Sequence, residues 1–167
     1  MNLVATPLDG LLVAEPARAE DERGFFARTF DVEALWPVAQ MSTSFNRARG
    51  TLRGLHFQRA PHGERKLVRC TRGAVWDVAV ELASGRWHAE ELTAENGRAL
   101  VVPAGFAHGF LTLTDDAEVL YAMDVAYVPQ AADGVRWDDP AFAIAWPDAP
   151  VTMSEKDAGW PLRGERA

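Results

Sequence analysis

Short strand-like runs separated by turn residues recur along this chain, and they constrain its fold more than any other feature. The runs lie at Leu11–Glu15, Lys66–Cys70, Ala74–Leu82, Ala99–Val102, Phe110–Leu113 and Val119–Val125. They are rich in β-branched and aromatic residues and are bounded by Gly, Asn, Asp or Pro, as is typical of strands. Many short strands between such turns indicate a β-sandwich or barrel. We therefore predict an all-β fold.

Helix is predicted only in short pieces. Asp31–Trp36 is the one candidate before the C-terminal region, with Asp31 as the N-cap and Pro37 as the end. Five prolines spread over the last third predict an extended, loop-rich segment there. The chain has 167 residues, which is enough for one well-packed core, and it shows neither a repeat nor a linker. We predict a single domain over residues 1–167.

The run Ala74–Leu82 predicts a strand that is buried on both faces. Side chains alternate along a strand, so Trp76 and Val78 share one face while Val75 and Asp77 share the other. Both faces are largely apolar. Asp77 then points into the interior, where a carboxylate needs a partner or a functional role.

Composition excludes several classes of function. The formal net charge is −7, which disfavours nonspecific binding to nucleic acid. No apolar run reaches the roughly 18 residues of a membrane span, and the N-terminus lacks the pattern of a secretory signal. Cys70 is the only cysteine, so no internal disulfide can form. These features predict a cytoplasmic protein that binds neither a membrane nor nucleic acid.

Chemistry-bearing residues cluster in a few segments. The most informative are Leu52–His56 (LRGLH) with Lys66 ten residues after His56, and Pro103–Phe110 (PAGFAHGF). The others are Asp21–Phe26, Arg136–Pro140 and Ser154–Asp157.

From about Val13 to Pro161, these segments resemble the dTDP-4-dehydrorhamnose 3,5-epimerase family in order and spacing. The resemblance implies a cupin-type jelly roll, or double-stranded β-helix barrel, with a few short helices. It also implies an isomerase that needs no cofactor. Such an enzyme inverts C3, C5 or both in a nucleotide-linked 4-keto-6-deoxyhexose. Members of the family are homodimers that exchange N-terminal strands, so we expect a homodimer.

By this resemblance, four residues carry proton transfer. His56 is the base, and Asp157 is the carboxylate that fixes its tautomer. Imidazole suits the base because it ordinarily titrates near neutral pH. Tyr121 is the donor that returns a proton to the opposite face of the sugar. Lys66 lies near the oxygen that becomes the enolate, where a positive charge stabilises the transition state.

The resemblance also implies a set of substrate-binding residues. The planar guanidinium of arginine can donate two parallel hydrogen bonds to phosphate oxygens, and aromatic rings pack against a base or a sugar. The set comprises Arg23, Phe26, Gln40, Ser42, Arg53, Asp77, His108, Tyr127 and Lys156.

Strand parity places one condition on this site. In a regular strand Arg53 and His56 would face opposite ways. Both reach one pocket only if the strand bulges, and Gly54 is the natural place for a bulge.

Two other classes of function remain open. Pro103–His108 also fits the second metal-binding motif of cupins, but the residue two places after His56 is Gln58, a poor ligand for a transition metal. We therefore predict no metal site. A non-catalytic sugar-nucleotide-binding barrel would keep the arginines but would not need His56, Tyr121 and Asp157 together.

Three positions depart from the family pattern. Arg28 and Ala132 stand where relatives often carry glutamate, and the loop after Glu81 is shorter by four or five residues. These departures affect substrate binding more than proton transfer. They leave open the nucleotide (dTDP, CDP or GDP) and which carbons are inverted.

Overall fold

Thirteen β-strands dominate the computed structural model, which describes residues 1–165. They are β1 (Asn2–Ala5), β2 (Leu12–Glu15), β3 (Arg18–Asp21), β4 (Gly24–Ala27), β5 (Gln40–Asn46), β6 (Leu52–Gln58), β7 (Lys66–Arg72), β8 (Ala74–Glu81), β9 (Trp87–Thr93), β10 (Ala99–Val102), β11 (Phe106–Thr112), β12 (Ala117–Met123) and β13 (Ala132–Gly134). Near the C-terminus follow the helix α1 (Glu155–Ala158) and a 3₁₀ turn (Arg163–Glu165).

The strands form two facing antiparallel sheets. One has the order β1-β2-β10-β7-β12-β5, and the other has the order β13-β6-β11-β8-β9. From β6 to β12 the chain passes back and forth between the two sheets, which is the topology of a jelly roll. A separate hairpin of β3 and β4 stands apart from both sheets. The predicted all-β, cupin-type fold is confirmed.

The main core fills the space between the sheets. Val68 and Val119 from one sheet and Val75 and Phe110 from the other are essentially inaccessible to solvent. A second apolar cluster lies on the outer face of the five-stranded sheet, where the proline-rich C-terminal segment packs Phe142 against it. Strand β8 is therefore buried on both faces, as its pattern predicted.

The predicted helix at Asp31–Trp36 is wrong. The segment forms a single turn in which the Leu35 amide donates to the Asp31 carbonyl over 3.0 Å. Pro37 stops the chain before a second turn can close. Trp36 is buried instead against Leu67 on the outer face of the six-stranded sheet, so tertiary packing fixes this segment.

Strand bounds differ from prediction mainly at β11 and β12. Strand β11 begins four residues before the predicted Phe110, because His108 and its neighbours pair with both β6 and β8. Strand β12 ends at Met123 rather than Val125. No helix within residues 1–165 is long and apolar enough to cross a membrane.

Candidate active site

A cleft of about 420 Å³ opens between the two sheets at one end of the sandwich. Strand β6 and the β13 region supply one wall, and β5, β7 and β12 supply the other. Its lining is predominantly polar or aromatic, and it comprises Gln40, Ser42, His56, Phe57, Gln58, Glu64, Lys66, Tyr121, Met123, Tyr127, Ala132, Asp133, Lys156 and Trp160.

A β-bulge in β6 sets the direction of His56. His56 pairs with His108, whereas Arg53 pairs with Phe110, so β6 spans three residues where β11 spans two. The extra residue lies at Gly54, whose φ of 135° favours glycine. A Cβ at Gly54 would lie 2.6 Å from the Gly109 Cα, so the two strands also need glycine here to approach. The predicted bulge is confirmed.

His56 forms a tight pair with Asp157. The His56 Nε2 lies 2.6 Å from Asp157 Oδ1, and the Asp157 side chain is almost fully buried. The other carboxylate oxygen accepts a hydrogen bond from the Gly54 amide over 3.2 Å. An ionised carboxylate can only accept hydrogen bonds, so Asp157 favours the His56 tautomer that carries its proton on Nε2. The lone pair of Nδ1 is then able to take a proton.

Helix α1 holds Asp157 in place. Ser154 is its N-cap, and its hydroxyl accepts a hydrogen bond from the Asp157 amide over 3.0 Å. Burial by itself raises the pKa of Asp157, but hydrogen bonds from His56 and Gly54 outweigh it and bring the pKa below its ordinary value. Asp157 is thus an anion beside the imidazole and is able to stabilise an imidazolium.

Tyr121 lies on the opposite wall from His56. Strand β12 directs its side chain inward, where the hydroxyl lies 3.3 Å from the Ser44 hydroxyl. Its ring packs edge-on against His108, with the centroids 6.2 Å apart. Burial raises the pKa of Tyr121 well above its ordinary value, so the phenol keeps its proton until a strong base forms beside it.

Lys66 is buried in the same cleft. Its ammonium forms an ion pair with Glu64 at 2.8 Å and donates to the His56 carbonyl over 3.3 Å. The second oxygen of Glu64 accepts from the Gln58 amide, whose own carbonyl accepts from Val128. These bonds tie Lys66 to the base of the loop that carries Tyr127.

His108 and Asp77 form a second pair, which lies beneath the cleft. The His108 Nε2 lies 2.9 Å from Asp77 Oδ1, and Asp77 is fully buried. Burial raises the pKa of Asp77, and the nearby His108 and Lys66 offset part of that rise. The expectation that Asp77 needs an interior partner is confirmed, and this pair supports the Tyr121 ring from below.

Besides His108 and Asp77, three more predicted binding residues do not line the cleft within one chain. Arg53 bonds to Asn46 through its Nε over 2.7 Å, although its charge is near enough to Tyr121 to act on that phenol's pKa. Arg23 and Phe26 lie on the β3–β4 hairpin, where Arg23 forms an ion pair with its near neighbour Asp21. The Phe26 ring is 78% exposed.

The cleft also contains residues that were not among the predicted site residues. Trp160 and Glu64 are the most informative, because each contacts a predicted catalytic residue. Glu64 is two places before Lys66, a spacing that allows one face. Trp160 follows an irregular turn after α1, and no local pattern points to it. Of the three departures, Ala132 lies in the cleft lining, whereas Arg28 forms an ion pair with Asp31 near the hairpin.

A metal cupin requires several His, Cys, Asp or Glu side chains that converge on one point. Within the described range, 1–165, no group of three or more His, Cys, Asp or Glu side chains converges as metal ligands would. His56 and His108 each direct Nε2 at a separate carboxylate. The Gln58 amide is engaged by Glu64 and Val128. The donor set of the described residues therefore differs from that of a metal cupin, and the absence of a metal site stays a prediction.

A jelly roll whose end cleft holds a His–carboxylate pair facing a buried tyrosine is a cupin-type fold with the groups that acid–base chemistry requires. The family model described as dTDP-4-dehydrorhamnose 3,5-epimerase matches residues 5–164. The chain therefore belongs to the dTDP-4-dehydrorhamnose 3,5-epimerase family, and it is an isomerase of the sugar-nucleotide epimerase type.

Individual relatives agree with this assignment. The dTDP-4-dehydrorhamnose 3,5-epimerase of Escherichia coli strain K12 is 40% identical over 169 residues, covering 94% of this chain and 91% of that protein. The crystal structure of the enzyme from Elizabethkingia anophelis NUHP1 matches with a TM-score of 0.92 and 37% identity, covering 97% of this chain and 96% of that one. A Legionella pneumophila 3,5-epimerase in complex with dTDP-4-keto-L-rhamnose matches with a TM-score of 0.91 and 35% identity, covering 99% and 94%.

Proposed function

We propose that this protein epimerises a dTDP-linked 4-keto-6-deoxyhexose at C3, C5 or both, without a redox or metal cofactor. The observation that carries the proposal is the His56–Asp157 pair facing Tyr121 across one cleft in a member of this family. The complex of the Legionella relative with dTDP-4-keto-L-rhamnose supports the choice of substrate class.

In the proposed mechanism, His56 Nδ1 takes the proton from a carbon beside the C4 ketone. The electron pair of that C–H bond moves into an enolate whose negative charge lies on the former ketone oxygen. Lys66 stabilises this oxygen electrostatically, and Asp157 stabilises the imidazolium. Tyr121 then protonates the same carbon from the other face, which restores the ketone with inverted configuration. Solvent exchange finally returns a proton to Tyr121 and removes one from His56.

The other cleft residues fit the binding of a nucleotide diphosphate sugar. Lys156 supplies a cation for phosphate oxygens, and Tyr127 offers a half-exposed ring for the base or sugar. Gln40 and Ser42 provide polar contacts on the same wall. Arg53 stands close enough to add charge, and the buried His108–Asp77 pair acts from below by holding Tyr121.

We propose a homodimer in which each hairpin completes the partner's cleft. This arrangement would explain why Arg23 and Phe26 carry family features and yet lie outside the cleft of their own chain. The edge strand β5 leaves Met41 and Phe45 exposed, at 60% and 44%, and offers a surface on which a second chain can add strands. We further propose a cytoplasmic location, which suits the buried free thiol of Cys70.

The test is incubation with the dTDP-linked 4-keto-6-deoxy sugar in heavy water. Deuterium at C3 and C5 of an inverted product supports the 3,5-epimerase, and deuterium at one carbon alone supports a C3-only or C5-only enzyme. CDP- and GDP-linked analogues tested in parallel decide the nucleotide. Activity that chelators abolish and a divalent ion restores would support a metal cupin. Binding without any exchange above a His56→Ala control would support a non-catalytic sugar-nucleotide-binding protein.

A further inference from the structure

The indole of Trp160 stands edge-on against the imidazole of His56. The two ring centroids are 6.2 Å apart, with an angle of 70° between the planes. The ammonium of Lys156 lies 5.2 Å from the centroid of the same indole. Trp160 thus contacts the base and a neighbouring cation of the same cleft.

The indole of Trp160 packs directly on the backbone of Gly134. Gly134 pairs with His56 across the β13–β6 ladder. A Cβ at Gly134 would lie 2.3 to 2.6 Å from indole atoms of Trp160, including Nε1. Its φ is not in the left-handed region, so the backbone does not demand glycine here. Glycine is needed at this position because a side chain would occupy the space of the indole. The indole therefore lies directly beside the imidazole of His56.

The indole N–H also lies near the carboxylate of this pair. Nε1 is buried and makes no hydrogen bond of ordinary geometry within residues 1–165. It nevertheless lies close enough to the Asp157 carboxylate to help lower the pKa of that group, after the larger effects of burial and of His56. A buried donor without a partner is costly in free energy, so the place of this N–H beside the carboxylate that orients His56 needs a reason.

We propose that Trp160 is a positioning residue for the proton-transfer pair. Its ring restrains the imidazole so that Nδ1 faces the sugar, and its N–H stabilises Asp157 as an anion. Trp160 has this role only if His56 is the base of the proposed epimerase. Trp160 lies outside the segments that identify the family, and Gly134 acts through the indole that it accommodates.

Two variants of Trp160 separate the ring from the N–H. Trp160→Phe keeps an aromatic ring on Gly134 but removes the donor. We expect kcat to fall about tenfold with KM within about twofold, and the acid limb of the kcat/KM profile to move to higher pH. Without the Trp160 N–H, the negative charge of Asp157 is less well stabilised and attracts the imidazolium proton of His56 more strongly. The His56–Asp157 pair therefore loses that proton at a higher pH. Trp160→Ala also removes the ring that restrains the His56 imidazole. We expect kcat to fall about 100-fold in this variant, because a misplaced base can lose that much activity.

A matched control distinguishes positioning from packing. Trp76 also has a buried indole nitrogen without a hydrogen bond in the described chain, but it does not line the cleft. Trp76→Phe should leave kcat and the pH profile unchanged. In a double-mutant comparison, Gly134→Ala should lower kcat in the wild type but add little in the Trp160→Ala background, because its effect passes through the indole.

An NMR titration of the His56 imidazole in substrate-free protein makes the test independent of turnover. The midpoint should rise in Trp160→Phe and stay constant in Trp76→Phe. A folded Trp160→Phe with unchanged kcat, pH profile and His56 midpoint overturns the proposal, as does a change in KM alone. If wild-type protein shows no exchange with any nucleotide-linked keto sugar, the proposed function fails. In that case the NMR shift still shows whether Trp160 acts on the pair.

Discussion

The cleft and the β3–β4 hairpin both carry residues that the family resemblance implies, but they are built in different ways. In the cleft, His56, Lys66 and Tyr121 project from three strands of two packed sheets, and each has a partner within its own chain. On the hairpin, Arg23 pairs with its near neighbour Asp21, and Phe26 faces solvent.

This difference shows which part of the site a single chain can complete. Sheet packing fixes the distances among the proposed proton-transfer groups, because the strands that carry them share one core. The hairpin is held by its own ladder and belongs to neither sheet. The comparison therefore predicts that variants in the cleft damage chemistry, and that variants in the hairpin damage substrate binding through a second chain.

The largest effect is expected for His56→Ala. Without a base, both solvent exchange and product formation should fall about 10²–10⁴-fold. The measurement is deuterium incorporation and product by NMR in heavy water. His88→Ala is the matched control, since His88 also pairs with a carboxylate, Glu90 at 3.0 Å, but lies outside the cleft. Equal losses in both variants would contradict the assignment of His56 as the base.

Tyr121→Phe should separate exchange from inversion. His56 can still remove the proton and return it to the same face, so deuterium wash-in should continue while product falls, by about 10²-fold. Tyr127→Phe is the comparison, because Tyr127 is the only other tyrosine and also lines the cleft. Normal turnover in Tyr121→Phe with a loss in Tyr127→Phe would move the donor role to Tyr127.

The double variant Arg23→Ala/Phe26→Ala should raise KM about tenfold, equivalent to about 1.4 kcal/mol of binding, with a smaller change in kcat. Mixing it with inactive His56→Ala protein should restore low-KM turnover. In a mixed dimer, one cleft combines an intact His56 with an intact hairpin. Arg136→Ala removes a comparable surface pair with Asp138 and should leave KM unchanged. Failure of mixing to restore low-KM turnover, or a stable monomer at micromolar concentration, would contradict action across the dimer.

The smallest effect is expected for Asp157→Asn on acid stability. The pKa of Asp157 is lowered in the folded state, so its ionised form contributes stability above about pH 4 and loses it as pH falls further. Wild type should have a larger unfolding free energy than the variant near pH 6, and this difference should narrow below pH 4. Urea unfolding at several pH values measures it. Asp138→Asn should change stability less, because its ion pair is exposed. A difference that widens at low pH would contradict the assignment.

Much of the fold could be predicted because strand signals are local. Alternation and turn residues located six strands of the two large sheets, and the parity of Arg53 and His56 required the bulge now seen at Gly54. The edge strands β1 and β5 and the hairpin were not predicted, since their exposed, mixed sequences lack a clear alternation. The single-domain assignment over residues 1–167 stays a prediction.

The sequence by itself determined the fold class and, through the motifs around His56 and His108, the family to which the chain belongs. Tertiary structure decided the rest, because it depends on groups distant along the chain. It placed Asp157 on His56 across 101 residues and seated Trp160 on Gly134. It also left Arg23 and Phe26 outside the cleft of their own chain. A motif records which side chains are present, whereas sheet packing decides which of them meet, since each contact requires the whole core to set its distance.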